Sequence, residues 1–110
     1  MLNLKSFKIF LLIILIIVVF VILFEKPKTD SQGIVDLAKK LYQEDKAKGL
    51  DFSNGPCLTN KLVDDWVVDV AHNPRQPIDN LPENQCADFR QGKAHHFVEL
   101  DPNGELIRVY

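Results

Sequence analysis

Three histidines, His72, His95 and His96, are the side chains here whose ordinary titration range suits proton transfer near neutral pH. His95 and His96 are neighbours within an extended stretch, so they point to opposite faces, and at most one can join His72 in a site. Acid–base chemistry on a phosphodiester-like substrate asks for two such groups and a cation. His72, His96, Glu99 and Arg108 supply those types, although Glu99 and His96 differ in facing. This defines one reading, a tethered hydrolase using a histidine pair. The bland reading is that the histidines cap loops and hydrogen-bond within the domain, and we expect no catalysis. The chain has no G-x-S-x-G, no glycine-rich phosphate loop and no H-E-x-x-H.

A second candidate is the stretch Asn73 to Gln85, NPRQPIDNLPENQ. Pro74, Pro77 and Pro82 deny it ladder hydrogen bonds and make it a stiff loop. Asn73, Arg75, Gln76, Asp79 and Asn80 place directional donors and acceptors on that loop, the composition of a recognition surface with little ordering cost. The alternative is that these groups satisfy the loop's own backbone.

The only two cysteines, Cys57 and Cys86, form the third constellation. An even count in a small exported domain reads as a disulfide. The spacing is not C-x-x-C, and no paired C-x2-C or H-x3-H knuckle exists, so neither a redox motif nor a zinc site is expected, and no cofactor.

The segments that must position these groups fall into two unlike parts. Ile9 to Phe24 is sixteen apolar residues without Gly, Pro or any polar side chain. At about 1.5 Å per residue the run covers roughly 24 Å, and extension back to Leu4 brings it to the ~30 Å of a bilayer core. We read residues 1–8 as a cytoplasmic N-terminus, 9–24 as a transmembrane anchor and 25–30 as a linker. Residues 31–110 form an extracytoplasmic domain. A cleaved export signal calls for a shorter run and an adjacent small-x-small site, whereas Phe24 is followed by Glu25-Lys26-Pro27-Lys28. An uncleaved signal-anchor is therefore expected. Lys5, Lys8 and the amino terminus on one side, against Lys26 and Lys28 on the other, orient the N-terminus inward and the domain outward. No cysteine ends the segment to accept a lipid, and no small-xxx-small seam marks it for close helix pairing.

With 110 residues, a multidomain enzyme, a TIM barrel and a full Rossmann fold are excluded. Of the 13 basic residues two precede Phe24, leaving 11 against 15 acids downstream. That balance, with no Lys/Arg cluster, argues against nucleic acid as a partner. Membrane lipid and a protein in the envelope are the partners expected.

Within the outer domain, Thr29 with Gln32 makes a capping-box pattern, and Asp30 or Ser31 would also serve as cap. Ile34, Leu37 and Leu41 share one helical face, with Asp36–Lys40 and Glu44–Lys48 as i,i+4 pairs and Gly49 as a stop. Asn54-Gly55-Pro56 forces a turn, and Leu58 to Asp65 has room for one helical turn. Trp66 to His72 alternates as a strand, with Trp66, Val68, Val70 and His72 on one face and Val67, Asp69 and Ala71 on the other. A short helix is predicted from an Asn80 cap, with Glu83 third, Cys86 and Phe89 inward and Gly92 as stop. Asp101-Pro102-Asn103-Gly104 predicts a type I turn with a G1 bulge. It joins 95–100 to 105–110 as a hairpin, with Leu100 opposite Leu106, Val98 opposite Arg108 and Phe97 opposite Val109. The fold class is α+β: a transmembrane helix, then one amphipathic helix, a short second helix and a three-stranded antiparallel sheet.

A hydrophobic N-terminal helix leading to a helix-on-sheet head with one disulfide resembles pilin-like proteins in architecture. The resemblance implies a filament subunit. It is not carried by motifs, because the short basic leader ending in Gly and the Glu five residues into the apolar helix are both missing. The reading that remains foremost is a single-pass, membrane-anchored extracytoplasmic protein for binding or envelope assembly.

Overall fold

A computed structural model describes residues 3–24 and 30–110. Helix α1 runs Leu4–Phe24, with every side chain from Leu4 to Phe24 exposed. It is long and apolar enough to cross a membrane, a hydropathy and length that no buried helix of this small domain would need.

Helix α2 spans Ser31–Ala47. Of the candidate caps Asp30 serves, its carboxylate accepting the Gly33 N–H at 2.8 Å, while Thr29 lies outside the described residues. Gln32 donates instead to Asp36 at 3.0 Å, and neither expected i,i+4 ion pair is closed among the described residues. Gly49 follows the helix at φ 85°. The buried stripe is Ile34, Val35, Ala38 and Tyr42 rather than one centred on Leu37, which is half-buried. The small Ala38 lets the helix sit close to the sheet, turning the longer Leu37 and Leu41 to its flanks.

The sheet has four strands and is mixed, not three-stranded and antiparallel. Strands β1 (Cys57–Val63), β2 (Trp66–Val70), β3 (His96–Leu100) and β4 (Leu106–Val109) lie in that spatial order. The segment read as a helical turn at Leu58 to Asp65 is an edge strand, folded onto β2 through a tight turn with Asp65 at φ 72°. Asp tolerates this left-handed conformation better than most side chains. Exposed Asn60 and Lys61 and two register shifts break the alternation that would have announced the strand, features that suit an edge.

Strands β2 and β3 pair in parallel, Trp66 with His96 through Val70 with Leu100. Parallel neighbours need a long crossover. Residues 71–95 provide it with two 3-10 turns (Pro77–Asn80, Pro82–Asn84) and a single-turn helix α3, Ala87–Arg90. The predicted second helix is thus shorter and later than expected, with Cys86 rather than Asn80 immediately before it, because Pro82 ends the preceding turn. The hairpin β3–β4 has its turn at 101–104, with Gly104 at φ 84° donating to the Asp101 carbonyl. Leu100 faces Leu106 as expected, but a bulge then shifts the register by one, so that Arg108 faces Glu99 and Val109 faces Val98.

Helix α2 covers one face of the sheet. Ile34, Ala38 and Tyr42 pack there with Val68, Val70, Val98, Leu100 and Phe52, with Leu58, Leu62 and Trp66 around them. Ile34, Val68, Val70, Val98 and Leu100 are all 0% exposed, so truncating Ile34 or Leu100 to alanine would cost about 2–5 kcal/mol each. Tyr42 locks the helix to the far hairpin: its hydroxyl donates to the Pro102 carbonyl at 2.8 Å and its ring stacks on Phe52 at 4.4 Å.

Candidate functional site

The opposite face of the sheet holds a polar row beside an apolar one. Register brings Cys57, Asp69, Glu99 and Arg108 side by side across β1 to β4. One step along, Val67 neighbours Phe97, which exchanges both backbone hydrogen bonds with Tyr110. Phe89 of α3 meets Phe97 edge-on at 5.0 Å, Tyr110 stacks on Phe97 at 5.4 Å, and the Arg108 guanidinium sits 5.1 Å from the Phe97 centroid.

The crossover closes over this face. Cys57 and Cys86 are joined, placing the start of α3 directly over the edge of the sheet. Arg75 reaches from the proline loop and ties it to the sheet through all three guanidinium nitrogens, with two of its five N–H donors left over. Nε donates to Asn80 at 2.8 Å, Nη1 to Glu99 at 3.1 Å and Nη2 to the Asp79 carbonyl at 3.3 Å. Between loop, α3 and sheet lies a cavity of about 320 Å³, at the small end of ligand sites. Val67, Cys86, Phe89 and Phe97 form its apolar wall. Asp69, Glu99, Arg75, Arg90, Arg108 and Gln85 supply its polar groups.

The charges in it are unequal partners. Glu99 is 6% exposed and flanked by two guanidiniums, Arg75 at 3.1 Å and Arg108 at 3.4 Å. Asp69 sits on the neighbouring strand, roughly 4.8 Å away across the ladder. Its Oδ1 is buried with no hydrogen-bond partner among the described residues. Burial first, and the Glu99 charge second, push its carboxyl up to about 8 against the pull of Arg75. Asp69 is therefore a neutral carboxylic acid at pH 7, carrying a proton it can donate to a hydrogen bond.

The proline loop is organised around Asp79, 1% exposed. Its carboxylate accepts the Gln76 N–H at 2.8 Å, the His72 N–H at 3.0 Å and the His72 Nδ1 at 2.9 Å. A carboxylate only accepts, so Nδ1 carries the hydrogen. Burial works to raise this carboxyl, but the Gln76 and His72 donors outweigh it and hold it below the usual range. Gly55, at φ 65°, packs on the same group; a Cβ there would collide with the Asp79 carboxylate and the Val70 carbonyl. The loop begins at a cis Asn73–Pro74 bond. Asn84 donates to the Ile78 carbonyl at 3.0 Å.

The chain matches no protein-family model, no curated protein and no solved structure. Its chemistry must be read from its own geometry.

Of the residues expected to bind a ligand, Arg75 lines the cavity, Asp79 is buried inside the loop, Asn80 holds Arg75, and Asn73 and Gln76 are exposed. His72 is not brought together with either of the other histidines, and His95 and His96, expected on opposite faces, converge on one carboxylate because His95 lies just before the strand begins. His72 lies just beyond the C-terminal end of β2, whereas His96 is level with Trp66 at the other end, about 20 Å along the strand. His95 and His96 instead share Asp65: His95 Nδ1 lies 2.6 Å from its Oδ1, and His96 Nε2 lies 3.6 Å from its Oδ2. The His95 ring, ahead of its N–H and charge, draws the Asp65 carboxyl below its usual range, against a counteracting desolvation. His96 also stacks on Trp66 at 4.7 Å. Phe89 and Asp69 are visible in the sequence, and the alternation from Trp66 to His72 already puts Asp69 on the same face as Val67. Their meeting with Glu99 and Arg108 depends on the parallel pairing, which no local pattern encodes. Among the described residues no group of three or more His, Cys, Asp or Glu side chains is arranged to hold a metal ion.

Proposed function

We propose that this chain is a single-pass, membrane-anchored protein whose outer domain binds a small ligand in the cavity between the crossover and the sheet. The observation that carries the reading is the cavity itself. An apolar wall faces a neutral acid and a guanidinium-flanked carboxylate, all held by a disulfide and a buried loop network. Recognition thus shifts from the loop's outer amides to its inner side, with Arg75 common to both. The apolar helix supports anchoring, and the disulfide supports an oxidising compartment for the domain. Orientation with the N-terminus in the cytoplasm rests on the lysine distribution alone.

Two experiments test this. Protease accessibility with thiol labelling on intact cells should show an anchored chain, a domain cleaved from outside and two unreactive cysteines. A fragment screen by NMR on the full chain in nanodiscs should move resonances of Val67, Phe89 and Phe97. Fragments that perturb only residues elsewhere overturn the binding site. The filament reading predicts instead that crosslinkers placed along Ile9–Phe24 capture bundled copies; capture of monomers alone supports a lone anchor.

A further inference from the structure

We propose that the cavity is a site for a small organic carboxylate with an aromatic or branched apolar body. This rests on the reading of the cavity as a ligand site and adds the class of ligand.

The charge balance of the walls sets the sign. Arg75, Arg90 and Arg108 bring three cations to a space that holds one paired carboxylate, Glu99, and one neutral acid, Asp69. Arg75 uses three of its five N–H donors on loop and sheet, which fixes its fork in place and leaves two donors. Arg108 keeps donors beyond the Nε that meets Glu99, and Arg90, exposed at the rim, closes no ion pair among the described residues. A guanidinium presents a planar fork that matches a carboxylate in two parallel hydrogen bonds. A bound carboxylate therefore meets one or two forks and, deeper in, a carboxylic acid proton. Acid–carboxylate hydrogen bonding of this kind is short and strong.

The walls set the body of the ligand. Phe89 and Phe97 lie edge-to-face beside Val67, a surface for a flat ring or branched chain. A bare inorganic anion would leave that surface unused, and a cation would face uncompensated arginines. The small volume limits the ligand to a compact acid or the terminal residue of a peptide.

The test uses the full chain in nanodiscs, by calorimetry and NMR, with phenylacetate as the probe. Phenylacetamide removes the charge, inorganic phosphate removes the body, and N-acetylphenylalanine represents a peptide end. Phenylacetate should bind at pH 6 at least tenfold tighter than phenylacetamide or phosphate, and R90Q should weaken it about tenfold while shifting resonances of the free protein only around position 90. Binding should fall at least tenfold between pH 6 and pH 9, as Asp69 ionises among Glu99, Asp79 and the three arginines. D69N should flatten that dependence while retaining the preference for the acid. Tighter binding of N-acetylphenylalanine than phenylacetate supports the same chemistry and names a peptide terminus as its source. Equal binding of amide and acid, preference for phosphate, or indifference to R90Q together with R108Q overturns the proposal. If neutral fragments still occupy the cavity, only the ligand class falls. If nothing binds there, the site reading falls with it.

Discussion

Replacing Asp69 with asparagine should stabilise the protein at neutral pH. Its carboxyl titrates at about 8 in the folded chain, against 3.8 for the ordinary group. Because the folded value is raised, the folded chain holds the proton more tightly. The stability this supplies is full below pH 3.8, declines as pH rises and is gone above about 8. At pH 7 the unfolded chain gains from ionising over some 3.2 pH units (7 minus 3.8), which at about 1.36 kcal/mol per unit is roughly 4 kcal/mol lost by the native state. Asparagine matches the neutral acid in shape and does not titrate. Its amide can donate towards Glu99, so a gain of about 2–4 kcal/mol remains after any imperfect pairing. The measurement is urea unfolding of the full chain in detergent, followed by Trp66 fluorescence at pH 4, 5.5 and 7. The groups facing Asp69, namely Glu99, Asp79, Arg75, Arg90 and Arg108, are common to both proteins, so the difference isolates this carboxyl. The two proteins should be about equal at pH 4 and diverge steadily towards pH 7. Parallel curves across that range refute the assignment of a proton to Asp69.

Other substitutions probe the supports of the cavity. Removing the bridge with C57A and C86A together opens a loop spanning a separation of 29 residues and should cost roughly 3–4 kcal/mol in chemical denaturation, with Phe89 and Phe97 losing hydrogen-exchange protection. Asp79→Asn leaves buried donors of Gln76 and His72 poorly met and should cost about 2–3 kcal/mol at pH 7. Since the Asp79 carboxyl is held low, its contribution is present above the ordinary carboxylate range. It should disappear as pH falls through the lower folded value, so wild type and variant converge in strong acid. Gly55→Ala should cost about 2 kcal/mol, lowering the melting temperature by roughly 10 °C, because backbone and a buried carboxylate both block the new methyl. Unchanged melting of that variant would show that the loop yields easily.

What the residues announced in advance was local. The sixteen-residue apolar run, the alternation over Trp66 to His72, a strand as far as Val70, and the Asp101–Gly104 turn each satisfy a short-range rule and reappear in the fold, while the cysteine pair follows from an even count. Strand β1 was hidden because Asn60 and Lys61 interrupt its pattern where solvent permits them. The parallel pairing was hidden because nothing in Trp66–Val70 or His96–Leu100 tells which way its neighbour runs. The candidate site inherits that blindness. Arg75 and Asp79 stood out by composition, yet the loop that carries them turns Asp79 inward, and the acid that matters beside Glu99 lay in what read as an ordinary strand.

The same-direction pairing of the two central strands also bears on how the domain comes into being. Val68 and Val70 can meet Val98 and Leu100 only after the whole crossover, residues 71–95, has been produced and folded back. Until then α2 can cover Val68 and Val70 on one face of the β1–β2 hairpin, but the β2 edge that β3 will occupy, and Val67 on the other face, have no partner. Such long-range closure is slow compared with hairpin formation, so the open β2 edge is the part of the domain most exposed to pairing with another chain before β3 arrives.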